Sequence, residues 1–163
     1  MLRRWRGRAN TEKAKTAGET FDGCRLPPGT WSLLNACAKA GLRLDSAIDP
    51  TDLKLHLDAA RQTHPTWRSP TAVKFVHVIV FLRQKSVLAS VLARTRTLQN
   101  PGVPDLFLWR QDRNGSVAGQ FIEVKRYVQR TRVREAVSRE QKEELQFLKS
   151  LGLKARVVYL LER

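Results

Sequence analysis

The sequence predicts an α/β domain, a mixed β-sheet flanked by helices with a helical N-terminal part, and three observations indicate this class. Two apolar runs flank Asn114-Gly115, the kind of dipeptide that most strongly predicts a short β-hairpin. Residues 138–161 have the pattern of a helix followed by a strand, and the residues before 100 have mostly helical spacing. The length of 163 residues fits a single domain with a buried core.

The first residues are predicted to form a basic flexible arm over residues 1–20, because they are polar and carry little apolar surface to bury. Four arginines surround Trp5, so this arm could follow a phosphate backbone while the indole stacks on a base. An untethered tail would have the same composition. The sequence leaves these two interpretations open.

Residues 21–99 are predicted to be a helical region that leads into the last third of the chain. One helix there has Asp49 or Thr51 as its N-cap. A later helical segment begins at Ser69-Pro70, although its β-branched run from Val76 to Phe81 is also typical of a strand.

Residues 100–163 are predicted to form two strands, a helix and a closing strand. The two strands of the hairpin are "DLFLWRQ" and "GQFIEVKR". Ser138 is the predicted N-cap of the helix, and Gly152 ends it. The closing strand is "LKARVVYLL".

The net charge predicts a polyanionic partner. Thirty Lys and Arg residues against fifteen Asp and Glu residues give a formal charge of +15. Such an excess favours nucleic acid, because each phosphate neutralised by a basic side chain releases condensed counterions. A basic chain can also simply be soluble and self-repelling, so the charge alone does not decide between the two.

Other classes of protein are disfavoured. Cys24 and Cys37 are too few and too irregularly spaced for a disulfide framework or a zinc site, and we expect them to be reduced inside a cell. No stretch reaches the roughly 18–20 consecutive apolar residues of a membrane helix, so we expect no membrane association.

Three charged residues at the ends of the two hairpin strands are candidates for a metal site. Glu123 and Lys125 point to the same face of their strand, and Asp105 begins the neighbouring strand and can lie beside them. Two adjacent carboxylates repel each other unless a cation joins them, and hard oxygen ligands favour Mg²⁺ or Mn²⁺. The backbone carbonyl of Val124 is a further candidate ligand. Alternatively, the three are ordinary strand-end charges with a weak surface ion pair.

The loop after this strand is rich in arginine. As a solvated loop it needs no explanation, but at the mouth of a phosphate-cleaving site it would guide a DNA strand. The candidate DNA-binding residues are Arg126, Arg130, Arg132, Arg134 and Arg139.

These motifs resemble a known nuclease family. Pro104-Asp105 followed by Glu123-Val124-Lys125 is similar to the PD-(D/E)xK nuclease signature. The fuller pattern "GVPDLFLW", "FIEVK", "SREQ" and "LKSLGLKARVVYL" resembles the virus-type replication-repair nuclease (VRR-NUC) module found in viruses and in Fanconi-associated nucleases. The strong likeness covers residues 100–161, and a weaker likeness over residues 28–99 favours the Fanconi-associated branch.

The resemblance implies a restriction-endonuclease-like fold and a metal-dependent nuclease that acts on 5′ flaps and 5′ ends of DNA. It implies a nuclear location, a role in DNA repair and repair-protein partners. On this resemblance Asp105 and Glu123 are metal ligands, Lys125 is catalytic, and Gln141 is a helper from the following helix. Ser138 and Gln141 also have the spacing of a capping box, and both roles can hold together.

The chain departs from the family pattern in several places. Members usually supply another glutamate from an upstream helix, but this chain has none between Glu19 and Glu123, and Asp52 and Asp58 are weak substitutes. The loop after Glu-x-Lys is basic here instead of Gly-Pro-rich, and Glu144 stands where a Trp is common. Because members of that branch are much longer, we expect the chain to be a C-terminal portion of such a protein or a diverged short relative.

Two further functions stay open on the sequence. One is a basic nucleic-acid-binding module whose catalytic site is incomplete. The other is a short phage-type nuclease that prefers branched DNA or junctions.

Overall fold

A computed structural model describes residues 13–16, 19–94 and 102–162. The strands are β1 (Lys13–Thr16), β2 (Glu19–Arg25), β3 (Leu106–Gln111), β4 (Val117–Val128), β5 (Val133–Arg134) and β6 (Ala155–Glu162). The helices are α1 (Thr30–Lys39), α2 (Pro50–Arg61), α3 (Ala72–Gln84), α4 (Leu88–Ala93) and α5 (Arg139–Ser150). The predicted α/β class is therefore confirmed.

The six strands form one mixed sheet. Strands β1 to β5 pair in order and antiparallel, whereas β6 pairs with β4 in parallel. Strand β6 covers residues 121–128 of β4, and β3 and β5 cover the two ends of the same strand. Because each strand has two edges, β6 must lie on the edge opposite β3 and β5. Strand β4 is thus the centre of the region that carries the predicted site.

The predicted β-hairpin is confirmed. The Asp112 carboxylate accepts hydrogen bonds at 2.9 Å from the backbone N–H groups of Asn114 and Ser116, and Gly115 has a φ of +79° that suits glycine. Gly119 lets the neighbouring strand approach, since a Cβ there would overlap the ring of Phe107. Turn chemistry and close packing therefore fix the register of β3 on β4.

The core lies between one face of the sheet and the helices. Phe107 and Phe121 are fully buried on that face, with their ring centroids 5.0 Å apart. Phe81 of α3 lies 5.0 Å from Phe107, and Trp31 of α1 lies 6.2 Å from Phe121. Burial of each such ring contributes about 1.5–3 kcal/mol, so these contacts hold α1 and α3 on the sheet. Glu123 and Lys125 continue the same face of β4 beyond Phe121.

Local capping confirms two of the predicted helix starts. Asp49 accepts a hydrogen bond from the backbone N–H of Thr51 at 2.7 Å, and Ser138 caps α5. The helix predicted to begin at Ser69-Pro70 begins at Ala72 instead, after Thr71. The ambiguous run from Val76 to Phe81 is helical, because α3 lies against the sheet and can bury side chains over much of its surface.

The N-terminal elements correct the prediction. Residues 13–16 and 19–25 form β1 and β2, so the predicted arm and the start of the predicted helical region contain strands. Residues 1–12 and 17–18 of that arm lie outside the described residues. The segment "ETFDGCR" gave little strand signal because Asp and Gly are depleted in strands, but pairing with β3 and full burial of Cys24 stabilise it.

Candidate active site in a gap beside the central strand

A gap in the sheet exposes four residues of β4 along one edge. Strand β3 pairs with β4 up to Ile122, and β5 pairs with it from Tyr127 onwards. Between them, acidic side chains take the place of a strand. The Asp105 Oδ2 atom accepts from the Val124 N–H at 2.7 Å, and the Glu135 Oε2 atom accepts from the Arg126 N–H at 3.0 Å. The carboxylates of Asp105 and Glu135 therefore both lie in the gap, at the end of the buried core.

Glu123 and Lys125 lie side by side on the core face of β4. The Glu123 Oε1 atom is 2.9 Å from the Lys125 Nζ atom, and the two residues are only 2% and 6% exposed. This is a buried ion pair, not the weak surface pair of the alternative interpretation. Removing a carboxylate from water costs free energy, and the ion pair with Lys125 offsets part of that cost.

Gln141 donates a further hydrogen bond to the buried Glu123 carboxylate and also caps the start of helix α5. Its side-chain oxygen accepts from the Ser138 N–H at 2.9 Å, and its side-chain nitrogen donates to the Glu123 Oε1 atom at 2.5 Å. The Ser138 hydroxyl accepts from the Gln141 N–H at 3.2 Å, so the predicted capping box is present. One amide therefore serves the helix cap and the candidate site together.

The electrostatics of the site follow from burial and from crowded carboxylates. Burial raises the pKa of Glu123, Lys125 lowers it through a hydrogen bond, and the negative charge of Asp105 raises it again, which leaves it above the ordinary value. Burial lowers the pKa of Lys125, but its hydrogen bond to Glu123 and the negative charges of Glu123, Glu135 and Asp105 raise it more. A lysine in this setting is an ammonium cation.

The residues present fit a hard divalent cation. The N–H and C=O groups of one strand residue point to the same edge, so the Val124 carbonyl shares the edge on which Asp105 accepts the Val124 N–H. Two carboxylates and one carbonyl are the oxygen ligands that Mg²⁺ and Mn²⁺ prefer. Among the described residues no group of three or more His, Cys, Asp and Glu side chains is arranged to hold a metal ion. A cation here would depend on Asp105, Glu123 and the Val124 carbonyl.

The two aspartates considered as substitutes for the upstream glutamate have other partners. Asp58 pairs with Lys54 at 2.6 Å on the exposed face of α2, and an Asp52 oxygen lies 3.4 Å from His56. Both are therefore surface charges of a helix.

The five predicted DNA-binding arginines have exposed side chains but differ in their partners. Arg126 lies 3.6 Å from Glu135, and Arg139 pairs with Glu143 at 2.8 Å. Arg134 lies over two tyrosine rings. Arg130 and Arg132 lie in the turn between β4 and β5, beyond the pairing of Tyr127 and Val128 with β5.

Sequence reasoning missed the roles of two acidic residues. Glu135 stands 3.7 Å from the Lys125 Nζ atom and exchanges hydrogen bonds with Arg126, but it lies in a loop that carries no motif. Glu144 is 1% exposed and pairs with the Arg94 Nε atom at 2.7 Å, which joins the end of α4 to α5. The one indication in the sequence is that Glu144 stands at a position where the family often has Trp.

A mixed sheet that places two carboxylates and a buried lysine at its central strand defines an α/β domain of the restriction-endonuclease-like class. The chain belongs to the VRR-NUC domain family, which it matches over residues 51–160. This confirms the VRR-NUC module inferred from the motifs, and it identifies a nuclease-type fold that acts on DNA. Comparison with curated proteins gave no match, and comparison with solved structures gave none either. Within the described residues, no helix has the length and apolar character needed to cross a membrane.

Proposed function

We propose that this protein is a metal-dependent DNA nuclease that hydrolyses phosphodiester bonds at the gap beside β4. The observation that carries the proposal is the hydrogen bond from Val124 to Asp105, which brings the first acid onto the strand that holds Glu123 and Lys125. Family membership supports the nuclease class, and the charge of +15 supports a polyanionic substrate.

Asp105, Glu123 and the Val124 carbonyl would hold Mg²⁺ or Mn²⁺. When bound, such an ion polarises the scissile phosphate and lowers the pKa of a water molecule. The chain contributes the rest. Lys125, as an ammonium between two carboxylates, orients the attacking water by hydrogen bonding and offsets negative charge that develops on the phosphate. Gln141 holds the Glu123 carboxylate in place through its side-chain amide.

The substrate and cellular role are proposed on the family resemblance. The Fanconi-associated branch suggests cleavage of 5′ flaps as an endonuclease or from 5′ ends as an exonuclease. It also suggests DNA repair in the nucleus with repair-protein partners. A phage-type preference for junctions is the competing specificity.

A cleavage assay tests the proposal. Labelled 5′-flap, 3′-flap, junction and blunt duplex DNA are incubated with Mg²⁺, Mn²⁺ or EDTA. We expect product only with a divalent cation, and loss of product in Asp105→Ala and Lys125→Ala. The exposed pair Lys54 and Asp58 supplies matched controls, and Lys54→Ala and Asp58→Ala should cleave as well as the unmodified chain.

A second function is favoured by one observation. Among the described residues no group of three or more His, Cys, Asp and Glu side chains is arranged to hold a metal ion, and the sequence has no glutamate between Glu19 and Glu123. A DNA-binding module with an incomplete catalytic site would show DNA binding without any need for metal and no product on any of the four substrates.

A further inference from the structure

Two tyrosines extend the candidate site along the same face of the sheet. Tyr159 of β6 is the register partner of Lys125, so it lies about 4.8 Å away on the neighbouring strand. Tyr127 follows Lys125 by two residues on β4, about 7 Å further along the same face. Both rings are half-buried. The face of β4 therefore changes from a buried ion pair to an aromatic surface next to Lys125.

An arginine bridges the two rings. The Arg134 guanidinium lies 5.6 Å from the centroid of Tyr127 and 5.5 Å from that of Tyr159. It is exposed, and β5 places it beside Tyr127. Arg130 and Arg132 lie in the turn that leads into β5. The aromatic surface is thus bordered by positive charge on the side of the loop.

This combination of groups matches the chemistry of unpaired nucleotides. Aromatic rings stack on the faces of bases whatever the sequence, and guanidinium groups bind phosphate or stack on bases. A base in a duplex has both faces covered by its neighbours, whereas a base in a single strand can leave the stack. The distance of about 7 Å from Lys125 to Tyr127 along β4 equals about two nucleotides of a stacked DNA strand.

We propose that Tyr127, Tyr159 and Arg134 form a stacking platform for single-stranded DNA next to the scissile phosphate, and this rests on the proposed nuclease function. The platform would favour substrates with at least one unpaired nucleotide beside the cut. Fully paired duplex would lack a base to place on the rings.

The test measures binding in EDTA, so that cleavage plays no part. Affinities of the full chain for a fluorescent oligodeoxythymidine and for a blunt duplex are compared by anisotropy. The variant Tyr127→Leu/Tyr159→Leu removes the rings, and Tyr127→Phe/Tyr159→Phe keeps them. We expect the leucine pair to lose about tenfold or more in single-strand affinity and under twofold in duplex affinity, and the phenylalanine pair to bind nearly normally.

A charge-matched pair of variants guards against a folding defect in the leucine pair. Arg134→Ala and Arg156→Ala remove the same charge, but Arg156 lies on the opposite face of β6, three residues from Tyr159. Only Arg134→Ala should weaken single-strand binding more than duplex binding. In the unmodified chain, 5-iododeoxyuridine should cross-link to Tyr127 or Tyr159. Equal losses for the two arginine variants, or cross-links elsewhere only, would overturn the platform.

The two proposals fail in different ways. Selective single-strand binding through these rings without cleavage of any substrate would refute the hydrolysis alone. Metal-dependent cleavage with unchanged single-strand affinity in the leucine pair would refute the platform alone.

Discussion

The Asp105 carboxylate accepts a hydrogen bond from the backbone N–H of Val124 at 2.7 Å, and this contact joins the loop before β3 to the middle of β4. It has two consequences. It satisfies a strand N–H group in the gap that β3 leaves, and it places a negative charge close enough to raise the pKa of Glu123. One side chain therefore has a structural and an electrostatic role.

Asp105 variants should separate these two roles. Asp105→Asn keeps an oxygen that can accept from Val124 but removes the charge, whereas Asp105→Ala removes both. We expect both variants to lose divalent-cation-dependent cleavage, and only the alanine variant to lose about 1 kcal/mol of stability. The amount of cleaved DNA formed with Mn²⁺ measures the loss of activity, and urea unfolding measures the loss of stability. Full cleavage by Asp105→Asn would show that the charge is not needed for metal binding.

Breaking the buried ion pair should cost more than removing it. Lys125→Met leaves the Glu123 carboxylate buried without its cation, and we expect a loss of about 3 kcal/mol in the free energy of unfolding. The double variant Glu123→Gln/Lys125→Met leaves neither charge of the pair and should regain most of the lost free energy of unfolding. Urea unfolding in EDTA of Glu123→Gln, Lys125→Met and the double variant gives the coupling energy. Equal destabilisation of both variants would show that the charge itself is not the source of the loss.

His77 should make stability depend on pH. Its ring stacks on Trp109 with centroids 4.9 Å apart, and burial lowers its pKa below 6.5, although Asp22 opposes the shift. Between the lowered pKa and 6.5 the unfolded chain binds more protons, so the stability contribution is complete above 6.5 and is lost as pH falls through the folded pKa. Melting temperatures across this range should fall less in His77→Gln than in the unmodified chain. His64→Gln, at the other stacked histidine, is the control.

The hairpin, the caps and the convergence of the acids could be predicted from the sequence, because each rests on local chemistry. The Asn114-Gly115 turn, the Ser138–Gln141 box and the alternation of Glu123 and Lys125 need only neighbouring residues. Strand β2 could not be predicted, because its stability comes from pairing with β3, about eighty residues later. The role of Glu135 could not be predicted for the same reason, since only the fold brings its carboxylate close to Lys125.

Glu135 should position Lys125 without holding the fold together. Its carboxylate lies 3.7 Å from the Lys125 Nζ atom and is 43% exposed, so Glu135→Gln should change stability by under about 1 kcal/mol. The amide keeps an acceptor for the Arg126 N–H but loses the charge beside Lys125. We expect kcat to fall several-fold with little change in KM. Glu143→Gln, which alters a similarly exposed ion pair on α5, should leave kcat unchanged.

The arginines in the turn after β4 should contribute to DNA affinity through phosphate contacts. Arg130 and Arg132 are exposed in the turn that follows β4, so Arg130→Ala/Arg132→Ala should weaken binding and reduce the slope of log affinity against log salt by about two. Arg43→Ala/Lys85→Ala is the matched control. Lys85 follows Gln84, whose side chain accepts from Val117 at the start of β4, roughly 20 Å from Glu123 along the strand. Arg43 lies 3.4 Å from Asp45, whose carbonyl accepts from Arg83 at the same end of α3. An equal change of slope in both double variants would show that the whole surface attracts DNA without a preferred path to the site.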